Sequence, residues 1–169
     1  WCAAPEYCMP QRIEERPFTI FLDHGHYAGS DYTGLFVDAL NLLAKSPDTP
    51  PFRVFYQGNR GVEEWRLGTA WHFEKYDRAS KVPWLEMISR YRNTDLFCVT
   101  HPEAAGLAAL EAAMSGATLC VPVLGRPFID PGLLSQGVNH LKTRCRVDEV
   151  AARIRGIMES GVDNFSNHQ

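Results

Sequence analysis

Five strand-like runs, separated by segments of helical periodicity, constrain the fold of this chain more than any other feature. They lie at 17–23, 52–58, 69–74, 94–101 and 117–123. Most are continuous apolar stretches rather than alternating ones, which is typical of a parallel sheet covered on both faces. The pattern predicts an α/β fold: a Rossmann-like, three-layer domain with a parallel sheet of about six strands.

The segments between these runs carry apolar residues at the three- and four-residue spacing of amphipathic helices. One such segment follows Ser30 and Asp31, which are good helix caps, and continues to Leu43. Further helices are predicted at 61–68, from Pro83 to Tyr91, from Ala104 to Ser115 with Gly116 as the stop, and from Val147 to Met158.

Length and charge exclude several classes of protein. The 169 residues suit one α/β domain, which we place at 17–160, after a linker at 1–16 and before a tail at 161–169. The net charge is -3 and no long basic run occurs, so nucleic acid is not an expected partner. No apolar stretch approaches the roughly 20 residues of a membrane span. The first residue is Trp1 rather than Met, so we expect a further domain upstream.

The five cysteines are scattered, and they predict neither a disulfide framework nor a zinc site. Cys98 and Cys120 lie inside apolar strand-like runs, where a thiol acts as a small hydrophobic group. A reducing, cytoplasmic location is expected. Association with the inner face of a membrane, through a part of the protein preceding residue 1, stays open.

The loop and helix after the fourth strand-like run carry the clearest sign of a binding site. In a parallel sheet, ligands bind beyond the carboxyl ends of the strands. Here Thr100 ends a strand, Glu103 follows, and Gly106 lies near the first turn of a helix that contains Glu111. A glycine at a helix N-terminus lets backbone N–H groups approach a phosphate, and carboxylates accept hydrogen bonds from hydroxyls.

Two readings of these glutamates stay open from the residues alone. Both can be solvated side chains, since glutamate is common in helices. However, Glu111 lies in LAALEAAMSG, where nearly every neighbour is apolar or small. A charge there is costly unless it is paired or faces a cleft.

This segment resembles the donor-binding motif of retaining GT-B glycosyltransferases of the glycogen-synthase and sucrose-synthase superfamily, the group 1 glycosyltransferases. The family motif has two glutamates separated by seven residues that include Gly-Leu, and the corresponding segment here is Glu103-AAGLAAL-Glu111. The flanking RNTDLFCVTHPE and EAAMSGATLCVPV resemble the strands around the motif, and GVNHLKTRCRVDEVAARIRGIME resembles the closing stretch and helix. PEYCMP is similar to the interdomain linker. The specific part of the resemblance covers 82–122.

The resemblance implies one half of a GT-B fold that binds a nucleotide-diphosphate sugar. By resemblance to that family, Glu103 of this chain would contact the donor sugar and Glu111 would hold the ribose. Backbone groups at Gly106 and Leu107 would face the diphosphate. The reaction implied is retaining transfer to an acceptor on an N-terminal domain, so the isolated domain would be inactive. No metal and no other cofactor is expected, because basic side chains and helix dipoles stabilise the leaving diphosphate.

The loop after the first strand departs from the family pattern, which usually has an arginine and then a lysine followed by glycine. Here Gly25-His26 and Thr33-Gly34 stand in those places. His24 and His26, or Arg60 after the second strand, are candidate phosphate ligands. Loop histidines satisfied by backbone carbonyls are the alternative.

Three further interpretations remain at this point. His101, in the turn before Glu103, would reach the donor or cap the turn. Trp65, Trp71 and Trp84 are interpreted as core or interface residues rather than sugar platforms. The nucleobase pocket of the family would fall at 76–82, where no residue identifies the base.

Two other classes of function compete with a glycosyltransferase. The missing cations favour a non-catalytic GT-B-like module for nucleotide binding or assembly. A dinucleotide-binding Rossmann domain would need GxGxxG after the first strand, and DHGHYAG lacks that spacing. A non-hydrolysing sugar-nucleotide epimerase also has the GT-B fold, but its motifs are not matched.

Overall fold

A computed structural model describes residues 16–23, 32–57, 72–76, 82–100, 107–123, 140–144 and 146–160. Within these ranges, strands and helices alternate along the chain. The strands are β1 Phe18–Asp23, β2 Phe52–Gln57, β3 His72–Tyr76, β4 Leu96–Cys98, β5 Thr118–Val123 and β6 His140–Arg144. The helices are α1 Thr33–Ala44, α2 Trp84–Arg92, α3 Leu107–Met114 and α4 Val147–Ser160.

The six strands form one sheet in the order β3-β2-β1-β4-β5-β6. Every neighbouring pair is parallel. The prediction of an α/β fold with a parallel sheet of about six strands is therefore confirmed. Because the strands are parallel, their carboxyl ends all lie at one edge of the sheet, and the loops singled out from the sequence begin there.

Side chains of the central strands alternate between two apolar layers. Ile20 and Leu22 of β1 pack with buried residues of α1 and α4, whereas Phe21 packs with α2 and α3 on the opposite face. The same alternation separates Leu96 from Phe97 in β4. This two-residue period makes a strand apolar throughout when both faces are covered, which explains the continuous runs in the sequence.

Three aromatic rings form the centre of the layer that contains α2 and α3. The rings of Phe21 and Phe97 stack with their centroids 5.3 Å apart. Tyr91 of α2 meets them edge-on at 5.4 and 5.9 Å. Such pairs contribute about 0.5–1.5 kcal/mol beyond the area they bury. They fix α2 against the two central strands.

A polar network joins the starts of β1 and β4, at the edge opposite to the strands' carboxyl ends. The carboxylate of Asp95 accepts hydrogen bonds from both terminal nitrogens of Arg16, at 2.5 and 2.8 Å, and from the backbone N–H of Thr19 at 2.8 Å. The backbone N–H of Asp95 donates to the carbonyl of Thr19 at 2.8 Å. Arg53, on β2, donates to the Thr19 hydroxyl at 2.9 Å. Three strands are thus tied together at one end.

β6 was not predicted from the sequence, and β4 is shorter than predicted. HLKTR, at 140–144, pairs with β5 only and is an edge strand. Leu141 is the one apolar residue of this strand, so the segment lacks the continuous apolar run by which most of the other strands were recognised. The predicted strand at 94–101 shortens to Leu96–Cys98, because Thr94 still donates to carbonyls of the α2 end, with its N–H to Tyr91 and its hydroxyl to Arg90.

The predicted helix stop at Gly116 is confirmed. Gly116 has φ 100°, in the left-handed region, directly after α3. Its N–H donates to the carbonyl of Ala113, and the N–H of Ala117 donates to that of Ala112, each at 3.0 Å. These two bonds form a Schellman motif, which satisfies the last carbonyls of the helix. The chain then reverses directly into β5.

No helix in the described ranges is long and apolar enough to cross a bilayer.

Replacing Gly116 with alanine should lower the free energy of unfolding by about 1 kcal/mol or more, because a Cβ in the left-handed region is strained. Urea denaturation would measure the change. Gly34→Ala is the matched control: Gly34 is exposed, has no positive φ, and has no described atom within 4 Å of a built Cβ. Its stability should be unchanged or raised. An equal loss in both variants would contradict this account of Gly116.

Asp95→Asn should lower the free energy of unfolding by about 2 kcal/mol. The hydrogen bonds from Arg16 would lose their charged acceptor in a site that is largely shielded from water. The two side chains are only 17% and 21% exposed. Asp148→Asn is the control: its partner Arg146 lowers the pKa of Asp148, chiefly through a hydrogen bond, but both side chains are exposed. Thermal unfolding should show a clearly smaller change for this control.

Candidate functional site

The sheet order reverses between β1 and β4, and this reversal is a topological switch point. From β1 the chain proceeds outward through β2 to β3, and then returns to β4 on the other side of β1. The helix after β1 packs on one face of the sheet, and the helix after β4 packs on the other. A reversal of strand order with the following helices on opposite faces is the arrangement at which open α/β sheets bind ligands.

A backbone contact joins the two sides of this switch point. The N–H of Tyr32, just before α1, donates to the carbonyl of Thr100, just after β4, at 2.6 Å. Thr100 is almost fully buried. The start of α1 is thus fixed directly beside the end of β4. This contact places the segment that begins with Thr33 at the switch point.

The start of α1 presents no long side chain where the family pattern has lysine. Thr33 is completely buried. Gly34 is exposed, and a Cβ built there meets no described atom within 4 Å. Packing against the described residues therefore does not demand glycine at this position. Among the described residues nothing covers Gly34, and α1 itself contains no lysine or arginine.

Glu111 lies on α3, one turn after the helix begins at Leu107. Its partly buried carboxylate accepts a hydrogen bond at 2.9 Å, from the indole Nε1 of Trp84 to Oε1. The other members of α3 are alanine, leucine and methionine. The side chain that contacts Glu111 therefore comes from a different helix. A carboxylate has about four lone-pair sites, so one indole leaves acceptor capacity for a ligand.

Trp84 was expected in a core or an interface, and its contact with Glu111 was not predicted. It is the first residue of α2 and is 41% exposed, so it is not a core residue, and the interface alternative stays a prediction. Its partner lies 27 positions further along the chain. No spacing rule links residues so far apart. The only sequence signal was that Trp84 lies near a predicted helix start. Because helices that follow parallel strands begin at the carboxyl edge of the sheet, the start of this helix and the helix with Glu111 could be expected at the same edge.

Two of the nine predicted site residues lie within the described ranges. Leu107 begins α3 and is 42% exposed, and Glu111 is the acceptor described above. Their predicted contacts with diphosphate and ribose stay predictions. The remaining seven fall outside the described residues: His24, Gly25, His26, Arg60, His101, Glu103 and Gly106. So do the predicted caps Ser30 and Asp31, the helix at 61–68, Trp65 and Trp71.

The described residues do not bring together three or more histidine, cysteine or acidic side chains in a group that could hold a metal ion. Cys98 and Cys120 are fully buried partners in the register of β4 and β5, as their positions in apolar runs predicted. Burial raises the pKa of the Cys98 thiol well above its ordinary value, and the neighbouring Cys120 adds to the shift. A buried, protonated thiol is a poor nucleophile, so this pair is structural.

Solved glycosyltransferases share this fold. The catalytic domain of cholesterol-alpha-glucosyltransferase from Helicobacter pylori matches with a TM-score of 0.59 at 18% identity, over 90% of this chain and 94% of that chain. HepE of Anabaena, in complex with UDP and glucose, matches at 0.56 and 16%, over 89% and 42%. WaaG, a glycosyltransferase involved in lipopolysaccharide biosynthesis, matches at 0.60 and 17%, over 89% and 40%.

At such low identities the likeness shows the fold. The chain has the Rossmann-like fold of a GT-B glycosyltransferase domain, which confirms the fold predicted from the resemblance. The chain spans nearly all of the first structure and about two fifths of the other two. No protein-family model matches the sequence, and comparison with curated proteins finds no match either.

Alkylation can check the structural role of the two buried cysteines. Treatment of the folded chain with iodoacetamide at pH 8 should leave Cys98 and Cys120 unmodified, whereas both should react in 6 M urea. Burial and the raised pKa of Cys98 both slow the reaction. Peptide mass spectrometry would report each site separately. Rapid modification of Cys98 in the folded chain would contradict the structural assignment.

Proposed function

We propose that this chain is the donor-binding domain of a retaining glycosyltransferase. The observation that carries the proposal is the position of Glu111. It lies on the helix that follows β4, beside the point where the strand order reverses, with one carboxylate oxygen already engaged by Trp84. The shared fold with three glycosyltransferase structures supports it, as does the motif Glu103-AAGLAAL-Glu111.

The proposed ligand is a nucleoside diphosphate that carries a sugar. The N-terminus of α3, at Leu107, favours the diphosphate because its backbone N–H groups and its dipole both attract anions. One helical turn further, about 6 Å along the axis, Glu111 accepts hydrogen bonds from the ribose hydroxyls. Glu103 then contacts the transferred sugar. The solved complex of HepE with UDP and glucose supports a ligand of this class.

The chemistry follows from this arrangement. Transfer requires that the bond between the sugar's anomeric carbon and the diphosphate oxygen breaks, and that the acceptor hydroxyl adds on the same face. The charge developing on the diphosphate is stabilised by oriented N–H groups, without a metal or another cofactor. An N-terminal domain of the same protein holds the acceptor and completes the site. A cytoplasmic location belongs to the same proposal.

A second function is favoured by the start of α1. Thr33 is buried where the family pattern has a lysine, so this position provides no cation for the leaving group. A domain of this kind binds nucleotide diphosphates without transfer, as a GT-B-like binding or assembly module. His24, His26 or Arg60 would have to supply the missing charge for catalysis. The transferase and the nucleotide-binding form of this module both require a nucleotide diphosphate at Glu111, whereas a module for assembly alone does not.

Titration calorimetry of the 169-residue chain with UDP, GDP and ADP should show weak binding of at least one of them. Glu111→Ala should raise that Kd about 10- to 100-fold, because hydrogen bonds to a charged group contribute about 1.5–3 kcal/mol. Glu159→Ala is the control, since Glu159 is exposed in the last turn of α4. Absence of binding by all three diphosphates, or equal affinity of the Glu111 variant, would refute the proposed function.

Transfer distinguishes the two candidates once binding is established. Full-length protein with a bound diphosphate sugar should release the diphosphate in the presence of acceptor if the domain is catalytic. His24→Ala and His26→Ala should then reduce turnover more than they raise the donor KM. Binding without release across donor sugars favours the non-catalytic module.

A further inference from the structure

The bond between Trp84 and Glu111 is a polar contact between two helices that both begin at the carboxyl edge of the sheet. The indole Nε1 lies 2.9 Å from Oε1 of the carboxylate. An indole N–H can only donate, so the carboxylate oxygen is the acceptor in this bond.

Trp84 does not belong to the buried face of α2. The residue is 41% exposed, and its neighbour Leu85 is 60% exposed, whereas the buried face of α2 is formed by Ile88 and Tyr91. A core role would bury the ring. The described geometry instead turns the donor end of the indole towards the carboxylate of Glu111.

Glu111 needs an external donor to hold one orientation. Its side chain has three rotatable bonds, and α3 has no other polar residue that can fix it. Arg90 on α2 already forms an ion pair with Glu86 on the same helix, so its guanidinium is engaged there. A carboxylate that is ordered before the ligand arrives loses less entropy on binding.

We infer that Trp84 is a positioning residue, which orients the Glu111 carboxylate for the ribose hydroxyls of the nucleotide. The inference rests on the proposed function and deepens it by adding a residue that acts through Glu111. Oε1 is held by the indole, and the remaining acceptor sites of the carboxylate receive the ribose hydroxyls. Trp84 thereby contributes to discrimination between ribose and a sugar without hydroxyls.

The test compares Trp84→Phe with the unmodified chain, using two ligands for each. Phenylalanine keeps an aromatic ring but lacks the N–H. The ligands are whichever of UDP, GDP and ADP binds, and its 2′,3′-dideoxy counterpart. The variant should lose about three- to tenfold in affinity for the ribose form, the scale of ordering one long side chain. Its affinity for the dideoxy form should be unchanged, because that ligand has no hydroxyl for Glu111.

Two comparisons separate positioning from a merely structural role. Leu85→Ala, an exposed change on the same turn of α2, should leave both affinities unchanged. In the double variant Trp84→Phe with Glu111→Ala, the ribose form should bind no more weakly than to Glu111→Ala alone, because Trp84 acts through Glu111.

The outcomes are distinguishable from those of the proposed function. If the unmodified chain binds no diphosphate, the proposed function falls and this inference falls with it. If Glu111→Ala weakens binding while Trp84→Phe binds both ligands normally, only the inference is overturned. It is also overturned if Trp84→Phe weakens both ligands equally, since an effect independent of the ribose hydroxyls does not act through Glu111.

Discussion

The pairing of β1 with β4 at the centre of the sheet is the contact on which the rest of this structure depends. Hydrogen bonds lie on both sides of this pairing along the strand direction. At the amino ends, Asp95 is held by Arg16 and by the backbone of Thr19. Beyond the carboxyl end of β4, the N–H of Tyr32, just before α1, donates to the carbonyl of Thr100. Between them, the stacked rings of Phe21 and Phe97 fill one face.

This central pairing also creates the candidate site. Because β1 and β4 are neighbours in space but not in sequence, the helices that follow them pack on opposite faces of the sheet, which is the arrangement at a ligand-binding switch point. Within the described residues, the candidate site consists of the start of α1 at Gly34, the start of α3 at Leu107, and the Glu111 carboxylate that is hydrogen-bonded to an indole.

The features predicted correctly from the sequence are those whose cause lies in neighbouring residues. Continuous apolar runs identified β1, β2 and β5 because both faces of these strands are covered, and Gly116 identified the end of α3 because only glycine enters the left-handed region easily. Sequence reasoning missed β6, an edge strand whose pairing depends on β5 alone. It also did not predict the hydrogen bond from the exposed Trp84 indole to Glu111 on α3.

The sequence by itself determined the α/β class, the positions of most elements and the choice of Glu111, because periodicity and motif spacing are properties of neighbouring residues. Tertiary structure alone decided that β1 pairs with β4 through Asp95 and Arg16, that Thr33 is buried, and that Trp84 meets Glu111. Contacts of this kind join residues up to 79 positions apart. Only the folding of the sheet brings such residues within hydrogen-bonding distance, since no local periodicity encodes their proximity.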